Sequence, residues 1–205
     1  MLSTIATATV LYAATAIDLL VILMIFFGQA KTRKQYRQIF VGQYIGSLTL
    51  IAISLILAYI LNFVPEEWML GFLGLIPLYL GIKVALVGDD DEEAVEKQLN
   101  ERGLGKLTTT VALITIASCG SDNIGLFVPY FVSITVPELL TTLITFVVLI
   151  FVLVFIAQKL TDIPGVGEVT ETFGRWIMAS IYIGLGVYIL VINGTLGSLL
   201  SFLSS

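Results

Sequence analysis

Six stretches of about 20 mostly apolar residues, parted by short polar breaks, set the pattern of this chain, and each is long enough to cross a bilayer as a helix. The first covers about residues 4–27 and breaks at Gly28 into the basic run Lys31-Thr32-Arg33-Lys34-Gln35-Tyr36-Arg37. The second, about 39–61, ends in Asn62-Phe63-Val64-Pro65-Glu66-Glu67. The third, about 68–87, opens on Trp68, an expected interfacial anchor. One substantial polar loop follows over 88–106, beginning Asp89-Asp90-Asp91-Glu92-Glu93. The remaining spans cover about 107–132, 137–157 and 175–192, the last after a link holding Asp162-Ile163-Pro164-Gly165.

Each half of this pattern carries one carboxylate inside an apolar span: Asp18 in the first and Asp122 in the fourth. Subtracting 104 maps Asp122 onto Asp18 and Cys119 onto Thr15, and a shift of 105 maps Gly81 onto Gly186. The expected architecture is an all-α integral membrane domain over residues 1–205. It comprises a first three-helix repeat over 3–87, an acidic cytoplasmic loop over 88–106 and a second three-helix repeat over 107–205. An odd number of helices inverts the second repeat relative to the first, the plan of many secondary transporters with midplane sites. Lys31, Arg33, Lys34 and Arg37 lie in the first loop, Lys97, Arg102 and Lys106 in the third, and Lys159 and Arg175 flank the fifth. The second and fourth loops hold neither Lys nor Arg. The odd loops are therefore expected in the cytoplasm and both termini outside.

Composition agrees. Only 12% of the 205 residues are charged, half of what a soluble domain carries, and the mean hydropathy is +1.02. A formal charge of −5 with scattered basic residues gives no footing for nucleic acid. The first apolar stretch is too long, and lacks the basic flank, for a cleaved signal peptide. Gly103-Leu104-Gly105-Lys106-Leu107 lacks the spacing and hydroxyl of a phosphate loop, so no enzymatic nucleotide chemistry is expected. With one Cys and no His, any metal is held by carboxylate, thiolate, hydroxyl, amide or carbonyl groups.

An ionised carboxylate at the bilayer centre costs about 2.5–3.5 kcal/mol even on lenient scales, so Asp18 and Asp122 are the candidate functional groups. Positions three apart share a helix face, which sets Cys119 beside Asp122 and Thr15 beside Asp18. If the two helices meet, two carboxylates, a thiol and hydroxyls surround one point, with Ser121 and Asn123 as further oxygen donors. Two carboxylates in a low dielectric share a proton or bind a divalent cation, and those occupancies compete. Aspartates alone suit hard ions; the thiol shifts preference toward Zn²⁺ or Cd²⁺. Gly120 and Gly125, with Pro129 beyond them, invite local unwinding that frees carbonyls. Gly42-Gln43-Tyr44-Ile45-Gly46 matches G-x-x-x-G and predicts close helix packing, with Gln43 able to line a path.

The segments Ala13-Ala14-Thr15-Ala16-Ile17-Asp18, Gly42-Gln43-Tyr44-Ile45-Gly46, Gly74-Leu75-Ile76-Pro77-Leu78-Tyr79-Leu80-Gly81-Ile82 and Cys119-Gly120-Ser121-Asp122-Asn123-Ile124-Gly125 with Val128-Pro129-Tyr130-Phe131 resemble the bacterial cadmium-resistance transporters of the lysine-exporter superfamily. The resemblance spans nearly the whole chain. It implies Cd²⁺ efflux across the plasma membrane, with the two aspartate segments at the ion site and Pro77 a family-like position. Protons are the expected exchange partner, the bilayer the surroundings, no cofactor is implied, and a homo-oligomer is left open. Two rivals stand beside this reading. An amino-acid exporter wants a midplane cation for the substrate carboxylate, and none is present. A thiol-redox carrier wants a paired dithiol, and the chain has a single Cys.

Overall fold

The computed structural model describes residues 1–61, 71–87, 107–161, 163 and 166–192, and every regular element among them is helical. They are α1 (Leu2–Gln29), α2 (Arg33–Leu61), α3 (Leu75–Val87) entered through a 3₁₀ turn at Gly71–Gly74, α4 (Leu107–Val132), α5 (Val136–Leu160) and α6 (Val166–Ile192). Helices α1, α2, α4 and α5 are long and apolar enough to cross a membrane; the apolar parts of α3 and α6, Phe72–Leu86 and Trp176–Val191, are shorter. Trp68, the acidic loop over 88–106 and Asp162, Pro164 and Gly165 of the last link lie outside the described residues.

Helix α6 begins at Val166, ahead of the expected start near 175, and α2 begins early for a capping reason. The basic run ahead of the second span is not all loop: Arg33 already begins α2. Gln35 Oε1 accepts from the backbone N–H groups of Lys31 and Thr32 at 2.8 and 2.9 Å, and Thr32 Oγ1 accepts from Gln35 N–H at 3.3 Å. This is a reciprocal capping box, so the helix begins while its side chains are still basic. At the head of α5, Glu138 Oε2 accepts from the backbone and hydroxyl of Thr135 at 2.9 and 2.7 Å. The expected unwinding near Gly120 and Gly125 does not occur: α4 is continuous from Leu107 to Val132, through Pro129. Pro77 falls in the first turn of α3, where a missing N–H costs nothing.

The halves interlock rather than stand side by side. The most extensive contact is α2 with α4, followed by α3 with α6 and α1 with α5; sequence neighbours α1 and α2 touch far less. Glycines set the closeness. A Cβ on Gly42 would lie 2.6 Å from the Thr108 carbonyl oxygen, and one on Gly46 2.8 Å from Thr115 Cβ, so α2 and α4 run parallel with backbones nearly touching. Helices α1 and α5 are also parallel, with Tyr12 on Phe146 (ring centroids 5.4 Å apart) and Gly28 against Thr161. Helices α3 and α6 cross antiparallel: a Cβ on Gly81 would meet Ile183 at 2.8 Å, and one on Gly186 would meet Leu78 at 2.7 Å. These two contacts exchange under one shift, since 186 − 81 and 183 − 78 are both 105. At the level of helix pairs alone, α2–α4 corresponds to α5–α1. Lipid gives helices no hydrophobic reason to associate, so small residues that let backbones approach carry the packing.

Large apolar side chains cover the outside, among them Ile45, Ile56, Leu86, Ile144, Val148 and Trp176. In water such a surface would drive aggregation; in a bilayer it is solvated. Among the described residues the buried polar side chains lie mostly on α1, α2 and α4, with Thr142 on α5.

Candidate functional site

Asp18 and Asp122 sit near the middles of α1 and α4, both half-buried, in helices with no other charged side chain. Helix α4 supplies a polar face of Thr115, Cys119 and Asn123, spaced by four residues and all buried, with Asp122 one turn from Cys119. Asn123 Nδ2 donates to the Cys119 carbonyl at 2.7 Å, which caps that carbonyl and leaves Asn123 Oδ1 as an acceptor. Ser121 is exposed and donates to Asp122 Oδ1 at 3.1 Å, orienting the carboxylate rather than entering the bundle itself. On α1, the buried Thr15 hydroxyl donates to the Tyr12 carbonyl at 3.0 Å, so its lone pairs point away from its own helix. The Cys119 thiol is buried and reduced.

Among the described residues, no three Cys, Asp or Glu side chains converge closely enough to hold a metal ion. The two carboxylates and the thiol lie on two helices in contact, Asp18 on α1 and Cys119 and Asp122 on α4. The glycines of this region divide by contact. Gly125 receives Leu80 and Ile76 of α3, where a Cβ would come within 2.8 Å, whereas a Cβ on Gly120 would meet Leu50 at an ordinary 3.6 Å.

A second group of polar side chains lies inside the α2–α4 interface, and the G-x-x-x-G pattern gave little sign of it. Thr115 Oγ1 donates to Gln43 Oε1 at 2.8 Å, and Gln43 Nε2 donates to Ser47 Oγ at 2.9 Å. Gln43 and Thr115 are fully buried. The Tyr12 hydroxyl faces Ser47, with Cys119 nearby, and Ser54, two turns beyond Ser47 on α2, is buried without a hydrogen bond. The only sequence signal was a lone Gln, with Ser four residues on, inside an apolar helix. The partner Thr115 is 72 residues away and could not be read from either.

A family model described as "Cadmium resistance transporter" matches residues 12–202 of the chain. No curated protein and no solved structure matches it.

Proposed function

This chain belongs to the cadmium resistance transporter family, and we propose that it exports Cd²⁺, with Zn²⁺ as a second substrate, across the bacterial plasma membrane in exchange for protons. The observation that carries this reading is the pair of half-buried carboxylates, Asp18 and Asp122, in mid-helix, with the buried thiol of Cys119 one turn from Asp122. Two carboxylates in a low dielectric hold either protons or a divalent cation, so ion release and proton uptake are linked at one place. Asp18 and Asp122 are the charged ligands and proton acceptors. Cys119 favours a soft ion; Thr15 and Asn123 offer oxygen lone pairs, and Ser121 holds the Asp122 carboxylate.

The whole chain acts as one domain with both termini outside and the basic loops in the cytoplasm. The exchange of Gly81–Ile183 with Gly186–Leu78, and the correspondence of the α2–α4 and α5–α1 pairs, support two inverted three-helix repeats. In such a plan the site lies where the repeats meet, as α1 and α4 do.

Cys119→Ser tests the soft-ion part. The chain has no other Cys, so a redox carrier would lose all activity, whereas an ion exporter should keep transport and change its selectivity. The expected result, read by competitive uptake into membrane vesicles, is a fall in Cd²⁺ preference over Mn²⁺ of about tenfold or more, the size of effect that ligand changes have on metal affinity. An unchanged preference would remove Cys119 from the site.

A further inference from the structure

We infer that an anionic phospholipid binds in the outward-facing cleft between α2 and α5, with its phosphate held by Arg33, Arg37 and Lys159. This site is separate from Asp18 and Asp122. It does not depend on the export reading and needs only that the chain lies in a bilayer.

Helices α2 and α5 run antiparallel where they touch. The Tyr44 hydroxyl donates to the Val147 carbonyl at 3.0 Å, and Phe40 lies on Phe151 with ring centroids 5.5 Å apart. Each turn back along α2 is a turn forward along α5, which brings Arg33 level with Gln158 and Lys159. Arg33, Arg37, Phe40 and Tyr44 follow one stripe of α2 at spacings of four, three and four. Val147, Phe151, Phe155 and Lys159 follow one ridge of α5 at spacings of four. Phe151 and Phe155 stack at 6.5 Å, and Lys159 Nζ lies 5.8 Å from the Phe155 ring centroid. Both rings and all three cations are exposed. The arrangement matches a lipid, with cations at the end of the bundle and aromatic rings below them. From Arg33 to Tyr44 the helix rises about 16 Å, close to one leaflet of a hydrocarbon core about 30 Å thick.

The charge at this end lacks a counterpart. No Asp or Glu occurs between residues 19 and 65 or between 139 and 161. Arg33 and Lys34 stand in the first turn of α2, where the helix dipole disfavours cations and where no acidic residue offsets them. Among the described residues none of the three cations pairs with a carboxylate, and Lys159 rests on a ring instead. A basic loop that only sets orientation in the membrane could lie anywhere past the helix end. Here the Thr32–Gln35 capping box fixes Arg33 and Arg37 on the helix, level with Lys159 across the cleft. Arginine binds phosphate through paired N–H bonds, and each Lys or Arg near an anionic leaflet adds to the attraction. A phospholipid supplies both parts: phosphate for the cations, and acyl chain for Phe40, Phe151 and Phe155. Helix α2 packs on α4 and α5 on α1, while α2 meets α5 lightly, so the lipid joins two closely packed pairs.

The test is thermal unfolding of the full-length chain in a neutral detergent, with phosphatidylglycerol or phosphatidylcholine of the same acyl chains added. Phosphatidylglycerol should raise the unfolding temperature at concentrations where phosphatidylcholine does not, and high salt should abolish the difference. Arg33→Gln, Arg37→Gln and Lys159→Gln should each need about fivefold more phosphatidylglycerol for the same rise. Lys83→Gln removes an equal charge from an exposed position on α3 and should need no more than the parent. Without added lipid, Arg33→Gln should be at least as stable as the parent, because a cation leaves the head of a helix. Equal rises with the two lipids would overturn the site, as would a Lys83→Gln effect as large as that of Arg33→Gln. An equal rise with inorganic phosphate at the same concentration would mark a free-anion site and overturn the lipid. Loss of Cd²⁺ export would leave these outcomes untouched, so the two readings fail separately.

Discussion

Asp122→Asn is expected to insert and fold like the parent chain and to lose cadmium transport by a factor of about a hundred or more. Asn keeps the size and the acceptor for Ser121, which now donates to Asp122 Oδ1 at 3.1 Å, so little in the packing changes. Membrane insertion should become easier, because a neutral amide replaces a group that costs about 2.5–3.5 kcal/mol near the bilayer centre. What disappears is the negative charge that balances a divalent cation and the site that takes a proton in its place. Removing one partner of a buried charge pair typically costs about 3–5 kcal/mol, which is where the hundredfold or greater loss comes from. Asp18→Asn should behave alike. Wild-type uptake by either variant, at matched protein in the membrane, would contradict the assignment.

Gly46→Leu is expected to fail differently: the fold goes first and transport with it. A Cβ at Gly46 would lie 2.8 Å from Thr115 Cβ and 3.2 Å from the Ala112 carbonyl oxygen, and backbone cannot step aside. Separating α2 from α4 would also pull Gln43 away from Thr115. Overpacking of this kind costs about 1–3 kcal/mol or more, and this is the most extensive interface in the bundle. Thermal unfolding in detergent should show a clear drop. Gly184→Ala and Gly120→Ala are the controls, since a Cβ finds open space at the first and an ordinary 3.6 Å contact at the second. These should stay within about 0.5 kcal/mol of the parent. A Gly46→Leu chain as stable as the controls would mean that α2 and α4 are not held this closely.

How much of this was legible in the sequence depends on how far each feature reaches. Asp18 and Asp122 stood out because a carboxylate in an apolar span is costly wherever the helix ends up. The α4 span was read to its final bounds, 107–132, because both ends are abrupt changes of polarity. Where the capping residues of α2 lie inside a basic run, hydropathy alone placed the start too late, although Thr32 and Gln35 have the right spacing. Gly42 and Gly46 announced close packing but not its partner, since α4 is brought alongside only by the tertiary fold. The unwinding expected around Gly120 and Gly125 did not appear; Gly125 instead makes room for Leu80 and Ile76 of α3. Gln43, Ser47, Tyr12 and Thr115 come from three helices, and each alone looks like an isolated polar residue. Their meeting is a property of the fold.

The central claim is exchange of a soft divalent cation for protons, and uptake into everted membrane vesicles under an imposed pH gradient tests it most directly. With Cd²⁺, Zn²⁺, Mn²⁺ and lysine offered separately, Cd²⁺ should enter fastest, Zn²⁺ next, and the uptake should stop when the gradient is collapsed. Lysine uptake without metal uptake, or Cd²⁺ uptake indifferent to the gradient, would contradict the account.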